Sequence, residues 1–285
     1  MSSSEEMQDF WADGLERGRR MLDFLTREVG SLADKSVLDL GCGLGGISIS
    51  FKKECQQVIS IDSDYERISR FKKRLEGENI SDVFPVYADA AHLPFRNSSF
   101  DLVIINGVLE WVGFGRAVNP FFWQARALDE ALRVLRKGGI LYLAIENRWY
   151  PVNLVRDPHM RIPFVCVLPF AIANIISLFL VKRPYQTPVY SYRQLRNLLK
   201  DRCFSRISIY APLIHYQYPV VIVNLEKGLR SLSSKDISRL NCEYKKMRLT
   251  RGLRLKLLFL RLIFLLHLPR AFAHSFVALA HKDSI

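Results

Sequence analysis

Apolar and polar positions in the first half of the chain switch between a helical and a strand period. Residues 8–29 carry Phe10, Trp11, Leu15, Met21, Leu22 and Leu25 at helical spacings, with Arg17, Arg19, Arg20 and Glu28 elsewhere. The pattern predicts a leading amphipathic helix that Gly30 stops. A short apolar strand follows at 36–40, broken by the glycine loop 41–46, and then a helix over 47–54. Further strands are predicted at 57–61, 83–87, 100–106 and 139–145, with helices over 64–76 and 124–136. Strands alternating with helices imply a parallel sheet covered on both faces, an α/β fold. Beyond residue 190, Ser191 caps a helix through Leu199, and 206–210 and 275–280 read as two more strands.

Two stretches break this rhythm. Residues 162–181 contain only Asn174 and Ser177 as polar side chains, flanked by Arg156, Arg161, Lys182 and Arg183. Their number suffices for a membrane span. Residues 244–269 begin with Lys245, Lys246, Arg248, Arg251, Arg254 and Lys256 and become aliphatic from 257 to 266, the pattern of a basic, lipid-facing helix. The alternative is that both are core helices with their basic residues on a solvated face. Element order argues against spanning: a crossing at 162–181 would leave strand 206–210 across the bilayer from the first five strands. Each segment therefore lies in the interface, re-enters from one side, or packs within the protein. Pro163 and Pro169 suit a kinked, partly inserted segment.

Charge sharpens the picture. The net charge is +13 over 285 residues, but residues 1–150 hold 19 basic against 22 acidic side chains, and residues 151–285 hold 22 against 6. The basic half calls for an anionic partner, nucleic acid or membrane headgroups, and its aliphatic context favours the membrane. With 49% hydrophobic and 24% charged residues, wholly disordered and fibrous architectures are excluded. Five cysteines with no C-x-x-C pair and no histidine at zinc-site spacing predict neither a disulfide scaffold nor a metal site. The acidic N-terminus lacks an early apolar run, unlike a secretory signal. The expected location is cytoplasmic, peripheral or monotopic on the inner face of the membrane.

The loop Gly41-Cys42-Gly43-Leu44-Gly45-Gly46 follows a strand and opens a helix, and Asp62 ends the next strand. This is a dinucleotide-type pattern, so a nicotinamide cofactor must be considered. Asp39, two residues before the first glycine, would repel a pyrophosphate held at the helix N-terminus. It would welcome a cationic ligand. S-adenosylmethionine has an ammonium, a sulfonium, a ribose diol and no phosphate. Asp39, Gly41, Cys42, Gly43 and Gly45 are the candidates around its methionine moiety, with Asp62 and Ser63 at the ribose and Asp89 and Ala90 at the adenine. Asn106 closes the fourth strand nearby. Cys42 has no partner base nearby in sequence and reads as a small residue between glycines.

At this point the chain resembles the class I S-adenosylmethionine-dependent methyltransferases. The resemblance runs through Val37-Leu-Asp-Leu-Gly-Cys-Gly-Leu-Gly-Gly46, Ser60-Ile-Asp62, Ala88-Asp-Ala90, Leu93-Pro-Phe95, Ser99-Phe-Asp-Leu-Val103, Val108-Leu-Glu-Trp-Val112 and Arg133-Val-Leu-Arg-Lys-Gly-Gly139. Trp111 stands where the small-molecule branch commonly has histidine. The resemblance implies a Rossmann-like seven-stranded sheet with the last strand antiparallel, 206–210 and 275–280 being the sixth and seventh strands.

Narrower similarity, to methyltransferases of bacterial surface-polysaccharide (O-antigen-type) clusters, lies in Leu143-Ala-Ile-Glu-Asn147, Tyr190-Ser-Tyr-Arg-Gln-Leu195, Ile209-Tyr-Ala-Pro-Leu213 and Phe272-Ala-His-Ser-Phe276. It implies methylation of a glycan hydroxyl. Glu146 and Asn147 end a strand at the carboxyl edge of the sheet, where open α/β folds bind ligands, and are the acceptor candidates, with capping of the next turn as the alternative; Glu146 is the candidate base, and His92, His215 and His274 are further ones. Asn119-Pro-Phe-Phe122 resembles the tetrad of adenine methyltransferases but lies 13 residues beyond the strand-end Asn106. The organisation expected is an N-terminal helix (1–30), a cofactor-binding core (31–148), an apolar interfacial or lid insertion (149–190) and late strands (191–285) carrying a basic helical insertion at about 225–272. The function expected is methylation of a lipid-linked glycan or amphipathic acceptor at the membrane surface. A noncatalytic membrane scaffold and an RNA methyltransferase are the alternatives.

Overall fold

The computed structural model describes residues 3–116, 119–228, 232–246 and 269–283. Most of the basic stretch 244–269, from 247 to 268 and including Arg248, Arg251, Arg254, Lys256 and the aliphatic run, lies outside the described residues. Among the described residues eight strands form one sheet: β1 (Ser36–Leu40), β2 (Gln57–Asp62), β3 (Val83–Tyr87), β4 (Phe100–Asn106), β5 (Leu135–Glu146), β6 (Phe204–His215), β7 (Tyr218–Asn224) and β8 (Ser275–Lys282), in the order β3-β2-β1-β4-β5-β8-β6-β7. The first five pair in parallel. β8 runs antiparallel between β5 and β6.

One expectation changes here. The sheet has eight strands rather than seven, because β6 extends to His215 and turns straight back as β7, whose Val220-Val-Ile-Val223 run is buried. The antiparallel strand next to β5 is 275–282, as the resemblance implied. Pro85 is accommodated because β3 is an edge strand, where a missing ladder donor costs little.

Strand alternation divides the core cleanly. Leu38, Leu40, Val103, Ile105, Leu141, Leu143 and Ile145 point to one face; Val37, Leu102, Ile104, Tyr142 and Ala144 point to the other. The first face is covered by α4 (Pro120–Val134) and by α7 (Tyr192–Asp201), whose Ser191–Gln194 capping box is formed. The second is covered by α1 (Ser3–Val29) and α3 (Tyr65–Gly77), through Met21, Phe24, Leu25, Phe71 and Leu75. Short α2 (Gly46–Phe51) follows the glycine loop.

The apolar run of 162–181 is not one helix. It contains a single 3-10 turn at Val165–Val167 and then α6 (Phe170–Val181), with Pro169 setting the start. Twelve residues rise about 18 Å, well short of the roughly 30 Å of a hydrocarbon core. Among the described residues no helix is long and apolar enough to cross a membrane. α6 packs Phe170, Ala173 and Ile176 inward yet turns most of its large apolar side chains outward. Ala173 and Ser177 form its buried stripe, Ser177 Oγ donates to the Arg183 carbonyl (2.7 Å), and Asn174 Oδ1 accepts from Tyr185 N–H (3.0 Å). Ile172, Ile175, Leu178, Phe179 and Leu180 face outward, Phe179 being 75% exposed. A buried core helix would do the reverse.

Candidate active site

Strand order reverses between β1 and β4, the point where open α/β sheets bind ligands. A cleft of about 610 Å³ opens there, lined by the glycine loop, Asp62, Ser63, Asp89, Ala90 and Asn106 together with Arg17, Trp111, Phe114, Arg116 and Tyr216. A slightly larger groove of about 690 Å³ runs past Arg19, Lys52, Lys53 and Arg239, but contains none of the glycine loop.

The loop is pinned by backbone bonds. Gly41 and Cys42 N–H groups both donate to the Ile61 carbonyl (2.8 and 2.9 Å), and Gly43 N–H donates to Asp62 Oδ2 (2.9 Å). Gly45 takes a left-handed φ of 82°, and a Cβ there would strike the Phe71 ring. Asp62 Oδ1 accepts from Asp64 N–H (2.9 Å). Each carboxylate oxygen thus holds one backbone donor and keeps accepting capacity toward the cleft.

Not every predicted residue reaches the cleft wall. Asp39 lies beneath it, 1% exposed, taking the Ser48 hydroxyl (2.6 Å), which in turn accepts from Ser60 (2.8 Å). Burial, aided by nearby Asp62, pushes the Asp39 carboxyl up to about 6 despite the Ser48 bond. Gly45 is likewise a turn residue rather than part of the wall. Burial, with Asp39 and Asp62 adding to it, drives the Cys42 thiol well above its ordinary value, so it stays neutral. Asp89 lies on the cleft, but its carboxylate already holds Arg116, Ala91 N–H (3.0 Å) and the His92 ring (3.1 Å). These partners outweigh its desolvation and keep it below the usual carboxylate range. Asn106 is the opposite case: its amide nitrogen and oxygen are both buried without a partner, on the cleft wall.

The sequence reading missed three cleft-side groups. Arg17 arrives from α1, its Nε donating to the Gln217 carbonyl (2.9 Å). It gets there because α1 meets α2 through glycines: Gly14 backs onto Gly46, and a Cβ on Gly18 would meet Ser50 Oγ at 2.5 Å. Tyr216, in the β6–β7 turn, donates its hydroxyl to Glu146 Oε1 (3.0 Å). His159 comes from the insertion, held in a turn where Asp157 Oδ1 accepts its N–H (2.9 Å) and that of Met160 (2.6 Å). Its ring packs on Trp111 at 4.8 Å. Arg17 sat in plain view as a polar position of an amphipathic helix; nothing local marked Tyr216 or His159.

Glu146 and Asn147, expected at the acceptor, lie behind the wall. Glu146 is screened by Tyr216 and faces Glu110 and His159. Burial and the Glu146 charge push Glu110 well above the carboxylate range. Glu146 itself is buried too, but His159 and Glu110 stabilise its anion and bring it down. Asn147 is fully spent: Nδ2 donates to the Ala271 and Ala273 carbonyls (2.9 and 2.7 Å), Oδ1 accepts from Trp149 N–H (3.0 Å), and its own N–H donates to the His274 carbonyl (3.0 Å). It is a structural hub, bridging to Tyr190 as well, so three of the four polysaccharide-type motifs meet there. His215 and His274 pack together at 5.4 Å off the cleft, and Asn119 is the cap of α4, Oδ1 accepting from Phe121 N–H (3.0 Å).

The insertion is fastened to the cleft rim. Gln186 Oε1 accepts from Gly115 N–H (3.1 Å) and its Nε2 donates to the Arg116 carbonyl (3.0 Å).

Residues 38–143 match the family described as methyltransferase domain. The chain is thus similar to methyltransferase domains over a little more than a third of its length. Across almost its whole length it adopts the fold of an S-adenosylmethionine-dependent methyltransferase from Thermotoga maritima, at 14% identity and a TM-score of 0.53 over 98% of this chain and 96% of that one. Among curated relatives, the demethylmenaquinone methyltransferase of Clavibacter sepedonicus is 34% identical over 46% of this chain and 49% of its own. The tRNA 5-carboxymethoxyuridine methyltransferase of Escherichia coli K12 is 34% identical over 39% of this chain and 40% of its own. The chain spans about half the length of the curated relatives it matches. S-adenosylmethionine is the cofactor of this methyltransferase domain, and the cleft suits it: unpartnered Asn106, the guanidinium of Arg17, spare acceptor sites on Asp62, and open space where a Cβ on Gly43 would project.

Proposed function

We propose that this protein transfers the methyl group of S-adenosylmethionine to a hydroxyl of a lipid-linked glycan or similar amphipathic acceptor at the inner, anionic face of a membrane. The observation that carries the reading is α6: a helix with its large apolar side chains outward, Lys182 and Arg183 at its C-terminal end, and its segment bonded to the cleft rim through Gln186. Such a patch rimmed by cations fits a lipid surface carrying negative charge. Acceptors named for the relatives, demethylmenaquinone and a tRNA uridine, differ so widely that the shared domain leaves the acceptor open. The outward apolar face of the insertion and the polysaccharide-type motifs around Asn147 support the glycan.

When bound, S-adenosylmethionine supplies a methyl group activated by the sulfonium it leaves. Asp62 and Ser63 would take the ribose hydroxyls, Arg17 the carboxylate, and the backbone of Gly41, Cys42 and Gly43 the methionine chain. Ala90 and Asp89 would flank the adenine, and Asp39 would support the loop from below with negative charge. Asn106 turns its unpartnered amide toward the reacting side. Direct displacement asks the protein mainly to orient the two reactants. The acceptor proton would leave through the Tyr216 hydroxyl toward Glu146, since Tyr216 stands between that carboxylate and the cleft.

The test incubates the purified protein with radiolabelled S-adenosylmethionine and the host's butanol-extracted lipid-linked glycans or its total RNA, with and without anionic vesicles. Label in the lipid fraction, raised by vesicles, is expected. Label in RNA would replace this reading with the RNA one, and donor binding without transfer to either would favour a scaffold.

A further inference from the structure

Behind the cleft wall, three segments distant in sequence bring potential metal ligands together: Glu110 from the turn after β4, Glu146 from the end of β5, and His159 from the insertion. We propose that Glu110, Glu146 and His159 bind one divalent first-row transition cation, and that this cation clamps the insertion onto the carboxyl edge of the sheet. The inference does not rest on the acceptor reading above.

Each side chain offers one ligand atom, and these atoms lie within 4.8 Å of one another. His159 Nε2 and Glu146 Oε2 are 3.6 Å apart, too far for a good hydrogen bond yet close to the roughly 3.0–3.4 Å that separates adjacent ligands around a cation with bonds of about 2.1 Å. Small side-chain rotations close the set. Both Glu110 oxygens, Glu146 Oε2 and His159 Nε2 are buried without a hydrogen-bond partner, and Glu110 is 0% exposed. Four orphaned polar atoms converging on one point are costly unless something fills it. Tyr216 occupies the other Glu146 oxygen, so the free one is turned to the cluster. Two carboxylates neutralise a divalent charge in a buried place, and the imidazole selects Mn²⁺, Fe²⁺ or Zn²⁺ over Ca²⁺ and Mg²⁺, which favour oxygen ligands. Trp111, packed on His159, and Tyr216, bonded to Glu146, both line the donor cleft, so the cation would sit one side chain behind its wall.

The whole chain, stripped with chelator, is titrated with Mn²⁺ and followed by electron paramagnetic resonance and by thermal unfolding. One Mn²⁺ per chain, a raised Tm and a nitrogen coupling from imidazole in the pulsed spectrum are expected. Glu110→Gln and His159→Ala should each weaken binding at least tenfold, the latter also erasing the nitrogen coupling. Substoichiometric binding to wild type at millimolar Mn²⁺ would overturn the proposal, as would variants that bind like wild type. Should either variant not fold, the wild-type stoichiometry and nitrogen coupling decide alone, and absence of the coupling counts against the site.

Discussion

Asp62 shows how much one side chain carries: it fastens the loop through Gly43, starts α3 through Asp64, and keeps acceptor sites for a diol. Losing bonds to a charged group costs about 1.5–3 kcal/mol each. Asp62→Ala should therefore weaken S-adenosylhomocysteine binding by one to two orders of magnitude in calorimetry, while wild type ignores NAD. Tight NAD binding, or an unchanged variant, would remove Asp62 from the ribose. Asp39 makes a different prediction. Its folded-state value of about 6 lies above the ordinary value of 3.8, so the folded state binds the proton more tightly. The stability this gives is full below about pH 4 and is lost as pH rises to 6. At one pKa unit per 1.36 kcal/mol, Asp39 ionisation costs on the order of 3 kcal/mol above that window. Asp39→Asn keeps an acceptor for Ser48, so its urea midpoint should gain on wild type between pH 4 and 7. A gap independent of pH would show that Asp39 titrates normally.

At the scale of elements, the proposed membrane attachment would draw separable contributions from α6 and the basic stretch. Fully burying a large apolar side chain contributes roughly 1.5–3 kcal/mol; Ile175 and Phe179, 66% and 75% exposed, have the most to gain from lipid. The double change Ile175→Glu and Phe179→Glu should cut vesicle affinity by about two orders of magnitude at any salt and leave donor affinity unchanged. Basic side chains near an anionic surface contribute about 1 kcal/mol each, and salt screens them. Neutralising the six from Lys245 to Lys256 should therefore abolish binding most at low ionic strength. If the α6 variant sediments with vesicles as wild type does, its outward face serves another partner.

On the scale of the molecule, the proposed donor site would depend on α1 lying against α2 closely enough to bring Arg17 to the cleft. A side chain at position 18 would collide with Ser50, and overpacking of this kind costs roughly 1–3 kcal/mol. Gly18→Val should lower S-adenosylhomocysteine affinity more than Arg17→Gln does, with a reduced Tm that the arginine change alone leaves in place; equal affinities would mean that the helix contact does not position the cleft. The strands, the loop and Asp62 were legible in the sequence because their interactions are local: loop glycines, a strand-end acid and a helix cap define one another within some 25 residues. The additional strand β7 was not, since an apolar run can be strand or buried helix until a partner pairs with it. Nor was the outward apolar face of α6, because hydropathy counts apolar residues without saying which way they face. By itself the sequence determined the doubly covered sheet, the donor loop and the charge asymmetry. Only the tertiary structure set Asp39 beneath the wall and Asn147 into a scaffold. It also joined Arg17 to Gln217 across 200 positions, Tyr216 to Glu146 across 70, and His159 to both glutamates. Such pairings depend on which surfaces meet when the core closes, and no local period records that.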